Sequence, residues 1–166
     1  MTASTSFCVE EYLHTSFDNP DREFRDGELV ERSMPDKRHS RAQVRISAFF
    51  EAAREKLGLY PCSDLRVKLR DGLYRIPDVA VFWPEEPAAD VPDTAPLVAI
   101  EILSRDDRLT AVRSKLDEYR AWGVPHVWLV DPYLRKLYTC DAGLAEVPTL
   151  QIPELDLELR PEHVFE

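Results

Sequence analysis

Glycine is scarce in this chain, five in 166 residues, and no cluster of them forms a Gly-rich loop that could cradle a phosphate. There is no nucleophile elbow and no zinc-ligand spacing. Cysteine is scarcer still. Cys8, Cys62 and Cys140 are scattered and odd in number, which excludes a disulfide framework and fits a reduced cytoplasm. Long apolar runs are missing, so no membrane span is expected. The opening Met1-Thr-Ala-Ser-Thr-Ser-Phe7 has neither a basic start nor a long apolar stretch, and is not expected to be a secretory leader. Positive charge is in deficit, with 21 Lys and Arg against 31 Asp and Glu and a net charge of −10. A broad basic surface for nucleic acid is therefore disfavoured. An enzyme that meets phosphates through a bound divalent cation is not, because such a site is itself built of carboxylates.

What is present describes a globular chain: 44% of residues are hydrophobic and 31% charged, enough apolar material at this length for one domain with a real core. No repeat or low-complexity tract interrupts it. A short helix is expected over 6–17, broken by Asp18-Asn-Pro-Asp21, and then a strand over 24–32 with a turn or bulge at Asp26-Gly27. Residues 39–57 carry Ala42, Ile46, Phe49, Phe50, Ala53 and Leu57 at helical spacing, with Gly58 as the stop. Residues 65–69 alternate as a half-buried strand, and Asp71-Gly72 signals a hairpin into a strand over 73–83. Pro84 to Pro96 reads as a loop and 97–103 as an apolar strand. A helix over 108–122 ending near Gly123, a strand over 124–130, and another over 135–140 follow. The core runs over 22–141, and 142–166 reads as an irregular tail with one short strand at 155–159. Strand 97–103, helix 108–122 and strand 124–130 should form a right-handed parallel crossover. Strands 65–69, 73–83 and 97–103 should form an antiparallel meander. The fold class is α/β, a mixed sheet covered on both faces at its centre.

One residue is out of place in that pattern. Ile76-Pro-Asp-Val-Ala-Val-Phe82 is a run fit for a buried strand, yet an aspartate stands at its mouth. Side chains alternate along a strand, so Asp78 shares a face with Ala80 and Phe82, and Glu101 shares one with Ala99 and Leu103. If the two strands are antiparallel neighbours, the start of one lies beside the end of the other and the two carboxylates meet at one sheet edge. Adjacent carboxylates repel, and a hard divalent cation such as magnesium or manganese relieves this. The other reading is that each acid caps a strand end and is solvated.

These residues carry a resemblance. Ile76-Pro-Asp78 followed by Val98-Ala-Ile-Glu-Ile-Leu-Ser104 resembles the PD-(D/E)XK nuclease superfamily, and within it the Uma-type restriction-endonuclease family. The same order holds for Asp26-Gly-Glu28 within 23–30, His39 opening the long helix, Lys115 with Tyr119, and Gly123-Val-Pro through Trp128-Leu-Val-Asp-Pro132. The likeness runs from Cys8 to Phe165. It implies a restriction-endonuclease-like core, a central mixed sheet flanked by helices with acids at the strand ends. It implies that Asp78, Glu101 and the carbonyl of Ile102 bind Mg2+, with Mn2+ as a substitute.

In the parent superfamily a lysine follows the second acid by two residues. Here that position is Leu103, which cannot orient a water. The resemblance supplies Lys115 from the following helix instead, and at about 100° per residue Lys115 falls at the edge of the apolar stripe. Its stem could lie on the sheet with the ammonium over the strand ends; an ordinary snorkelling lysine would look the same. Arg108 is on the same side and could meet a phosphate. Relatives carry an acid where Ala111 stands, and Asp106 or Asp107 are the candidates to replace it. Glu23 and Glu28 match acids of the first strand region, and His39 a helix-start residue near the site.

The expectation is a magnesium-dependent endonuclease hydrolysing phosphodiester bonds in DNA, duplex rather than RNA. Asp78, Glu101 and Lys115 would be its catalytic groups, supported by Glu23, Glu28, His39 and Arg108. Cutting both strands asks for two sites, so a homodimer is expected, with the strand after Asp131-Pro132 as a contact surface. The alternative is a non-catalytic nucleic-acid-binding or regulatory module that kept the nuclease fold. Leu103, Ala111 and the acidic charge leave room for it.

Overall fold

The structure is a computed structural model that describes residues 6–18 and 21–166. Of the helix break expected at Asp18-Asn-Pro-Asp21, residues 19 and 20 lie outside them, as do the first five residues of the stretch Met1 to Phe7 that is not expected to be a leader. Helix α1 is Val9–His14, shorter than the expected 6–17. The region read as one strand over 24–32 is a hairpin, β1 Arg22–Arg25 and β2 Glu28–Glu31, closed by Asp26 and Gly27 at φ 49° and 93°. Helix α2 is Lys37–Leu57, with Asp36 accepting from the N–H groups of Arg38 and His39 and Gly58 left-handed at φ 69°. Helix α3, Leu109–Trp122, likewise stops at Gly123, φ 104°. Only glycine takes such a left-handed turn without cost.

The largest correction concerns the expected meander. The run 73–83 is two strands, β5 Leu73–Arg75 and β6 Val79–Phe82, and they belong to different sheets. With β3 Tyr60–Ser63, β4 Val67–Arg70, β7 Val98–Ile102, β8 His126–Asp131, β9 Lys136–Thr139 and β10 Ala145–Val147, the orders are β2-β1-β5-β4 and β10-β9-β8-β7-β6-β3. Pro77 explains the split. It has no N–H for a ladder and biases Ile76 toward an extended bend. Strand β3 contains Pro61 and lies at the sheet edge, where a missing donor is tolerated. Strand β9 is not an edge: β10 pairs with it antiparallel, so the expected dimer contact along β9 is covered within the chain. Nor is the tail irregular. It holds β11 Leu150–Ile152, a 3-10 turn, β12 Leu157–Leu159 and α4 Pro161–Val164.

The expected crossover is present: β7 pairs parallel with β8 through α3. Its strand alternation decides where the site forms. Val98, Ile100 and Ile102 face one core layer, with Ile46 and Phe50 of α2, Trp128 and Val130. Ala99 faces the other, with Val112, Leu116 and Tyr119 of α3. Glu101, two residues on, must point toward α3 as well. In the β6–β7 pairing Ala80 lies opposite Ala99 and Val79 opposite Ile100, so one further step of register sets Asp78 opposite Glu101.

Candidate functional site

A cavity of about 660 Å3 opens where these strand ends meet α2 and α3. Asp78, Glu101, Ile102, Lys115, Glu23, His39 and Arg108 all line it. Glu28 does not: it is exposed on β2. Counted as one strand over 24–32, alternation would set Glu28 on the face of Phe24 and Val30, but the chain reverses at Asp26-Gly27, and Glu23 is the acid that turns in.

Asp78 is 3% exposed. Its Oδ1 accepts from Arg32 Nη2 at 2.8 Å. Its Oδ2 accepts from the N–H of Ile102 at 2.6 Å and lies 3.3 Å from His39 Nε2. Burial by itself would raise this carboxyl, but His39, Arg32 and the Ile102 N–H outweigh it and hold the pKa below the ordinary range. The same contact raises His39, against the effect of burial. His39 Nδ1 is buried with no hydrogen-bond partner among the described residues.

Glu101 is held differently. Tyr119 donates its hydroxyl to Oε1 at 2.7 Å, and Lys115 Nζ lies 3.3 Å from Oε2. Burial pushes Glu101 up to about 7 against the pull of Lys115, with Asp78 and Glu23 adding to the rise. Lys115 also reaches Glu23 Oε1, at 3.2 Å, and burial, which would lower its pKa, is outweighed by these two carboxylates. Glu23 in turn accepts from Arg75 Nη1 and from the N–H of Ile76, each at 2.9 Å. Burial opposes its ionisation, but Lys115 and Arg75 keep it low.

A consequence for stability follows from Glu101. The folded chain keeps a proton that the unfolded chain, titrating near 4.5, has already lost. The contribution of this group to stability therefore falls as pH rises from about 4.5 to about 7 and is level above. Glu101→Gln removes it. In chelated buffer, urea midpoints at pH 5 and pH 8 should show the wild type losing ground to Glu101→Gln at the higher pH. An equal difference at both would show that the carboxyl is not raised.

Sequence reasoning missed Arg32, Arg75 and Gln43. Arg32 Nη2 bridges Asp78 Oδ1 and Asp64 Oδ1, the latter at 2.9 Å. Gln43 donates to the carbonyl of Asp78 and to Asp64 Oδ2. Arg75 did carry a signal, a charge inside the apolar run Leu73 to Phe82. Arg32 carried none, being one arginine after a strand of mixed charge. Asp107, a candidate to replace the acid missing at Ala111, accepts from the N–H of Ser104 and from Ser33 Oγ. It closes the loop before α3 and, like Asp106, lines the cavity. Tyr119, which the resemblance pairs with Lys115, is fully buried in the α3 layer and also holds Glu101.

Among the described residues no helix is long and apolar enough to cross a membrane. No curated protein matches the chain. Its fold is that of a crystal structure described as a "putative nuclease belonging to DUF820" from Anabaena variabilis ATCC 29413. The TM-score is 0.81 at 22% sequence identity, over 95% of this chain and 97% of that one. The family model Uma2, described as "Putative restriction endonuclease", matches residues 9–166, and with nearly the whole chain covered, the protein belongs to that family.

Proposed function

We propose that the chain is a metal-dependent endonuclease that hydrolyses phosphodiester bonds in DNA, as a single restriction-endonuclease-like domain. One observation carries the reading. Two carboxylates from paired strand ends, Asp78 and Glu101, share a cavity with an ammonium from the crossover helix, Lys115.

Among the described residues no three His, Cys, Asp or Glu side chains could together hold an ion, so this is not an all-protein cage. Magnesium is commonly held by one or two carboxylates, with water and substrate phosphate completing its shell. Asp78, Glu101 and the Ile102 carbonyl fit that pattern and would hold Mg2+, with Mn2+ as a substitute. Bound there, the ion would polarise the scissile phosphate and lower the pKa of its water.

The chain's own groups do the rest. Lys115 positions the attacking water and steadies negative charge growing on the phosphoryl oxygens. Glu23 and Tyr119 fix Lys115 and Glu101 in place. His39 and the Ile102 N–H orient Asp78. Arg32 covers Asp78 Oδ1 in the free protein. Because the same nitrogen also reaches Asp64, it can release Asp78 without becoming an unpaired cation. Arg108, on the rim, meets phosphate. Duplex DNA is the substrate proposed rather than RNA, a homodimer would supply the second cut, and the cytoplasm is the proposed location.

The test is supercoiled plasmid with Mg2+ and with Mn2+. Wild type nicks or linearises it, while Asp78→Asn and Glu101→Gln, folded by circular dichroism, lose roughly 100-fold or more. A folded wild type that neither cuts nor binds Mn2+ makes Asp78 a structural acid and returns the chain to a binding module.

A further inference from the structure

The acid cavity does not end at Ser104. A second cavity, about 500 Å3, lies beyond it and is lined by Arg38, Arg105 and Tyr133. Leu103, Ser104 and Asp107 belong to both, so the two adjoin and together make a groove leading away from Asp78 and Glu101.

Three arginines where the cavities meet, Arg38, Arg105 and Arg108, differ from most other cations in the chain, including Arg25, Arg32, Arg75 and Lys115 of the first cavity. Arg22, Arg25, Arg70, Arg75, Arg160 and Lys136 each face a carboxylate. Among the described residues Arg38 and Arg108 face none. Arg105 is 73% exposed, and its one ion pair among the described residues is with Asp36, at 3.8 Å. The guanidinium carbons of Arg38 and Arg105 lie 5.8 and 5.7 Å from the centre of the Tyr133 ring, within reach of its π face. Tyr133 is itself fixed, since Asp131 Oδ1 accepts the N–H groups of Tyr133 and Leu134. Asp107, in the wall shared by the two cavities, accepts from the N–H of Ser104, Asp106 lines the first cavity, and Asp36, beside Arg105, lines neither and caps α2.

We infer that this groove is the track of the nucleic-acid backbone next to the cleavage site. In it Arg38 and Arg105, braced on Tyr133, grip successive phosphates without reading sequence. The inference rests on the nuclease reading and names the surface that delivers the substrate. Planar guanidinium forks match phosphate oxygens. Two of them already use the tyrosine ring, so the contact is to phosphate rather than to a stacked base. The chain thus places Arg38 and the exposed, loosely paired Arg105 beside its site, although its net charge is −10. Arg38 also precedes His39, whose imidazole lies 3.3 Å from Asp78, so the two cavities adjoin at the start of α2.

The experiment is binding without cleavage. Fluorescence anisotropy of a labelled DNA duplex in EDTA is followed against salt for wild type and for Arg38→Ala/Arg105→Ala. A control, Lys56→Ala/Arg113→Ala, removes the same charge from residues that line neither cavity. The groove variant should lose about tenfold or more in affinity, and its log–log salt slope should flatten by about two. The control should follow the wild type. Arg38→Lys/Arg105→Lys, which keeps the charge but not the fork, should fall between. Equal loss in the groove and control variants overturns the inference. If the groove variant binds normally while Asp78→Asn still stops plasmid cleavage, the surface is wrong and the nuclease stands. If arginine-dependent binding persists in a wild type that never cuts, the surface stands and catalysis falls. If wild type binds neither duplex, single-stranded DNA nor RNA, both fall.

Discussion

Lys115→Met should reduce cleavage by roughly 100- to 1,000-fold, the usual loss when a preorganised electrostatic group leaves an active site. It should also destabilise the fold. The ammonium sits 3.2 Å from Glu23 and 3.3 Å from Glu101, and without it two buried carboxylates face one another and Asp78. Removing one member of a buried ionic cluster costs on the order of 3–5 kcal/mol. The two consequences can be separated. Lys115→Met with Glu23→Gln removes one charge of each sign, so stability should recover much of its loss while cleavage stays absent. Urea denaturation and plasmid cleavage on the same preparations decide the matter. If the double variant cuts as the wild type does, Lys115 is a structural counter-ion, and the chemistry lies elsewhere.

Arg75→Met should destabilise the chain about as much as Lys115→Met, with no direct part in the reaction. Arg75 is 5% exposed. It donates to Glu23 at 2.9 Å and to Glu118 at 2.7 Å, tying β5 to β1 and to α3. Its loss leaves Glu23 buried with only Lys115 as a cation, at about 3–5 kcal/mol. For a chain of this size that is a fall in melting temperature on the order of 10 °C. Arg70→Ala is the comparison. Arg70 makes a bidentate pair with Asp26 on geometry as good as that of Arg75, but both partners are more than half exposed. Water screens such a pair, so its removal should leave the melting temperature nearly unchanged. Similar drops for the two variants would show that burial does not set the strength of these pairs.

Both predictions concern residues whose importance depends on who stands opposite. Lys115 could be picked out from a resemblance and a helical wheel, but the wheel showed only that it borders the apolar stripe. Which acids it reaches came from the sheet behind it. Arg75 sits in β5, and its partners are 52 and 43 residues away. No local pattern names a partner at that distance. The same holds for Arg32, which meets Asp78 across 46 residues. Glu28 fails for a related reason: alternation is reliable along one strand and is lost where Gly27 turns the chain.

What the sequence by itself determined was local: α2 and α3 from their apolar period with their glycine stops, the Asp71-Gly72 hairpin, the parallel crossover, and the face of β7 that Glu101 shares with Ala99. Each follows from backbone geometry repeated every 3.6 or two residues, and from the order of neighbouring elements. What only the tertiary structure decided was long-range: that Pro77 sends β5 and β6 into separate sheets, that β10 covers β9, that Glu23 rather than Glu28 turns inward, and that three buried acids are balanced by Arg32, Arg75, His39 and Lys115. The reason is electrostatic. A buried charge is tolerable only with a partner, and that partner is chosen by packing across the whole fold rather than by its neighbours in the chain.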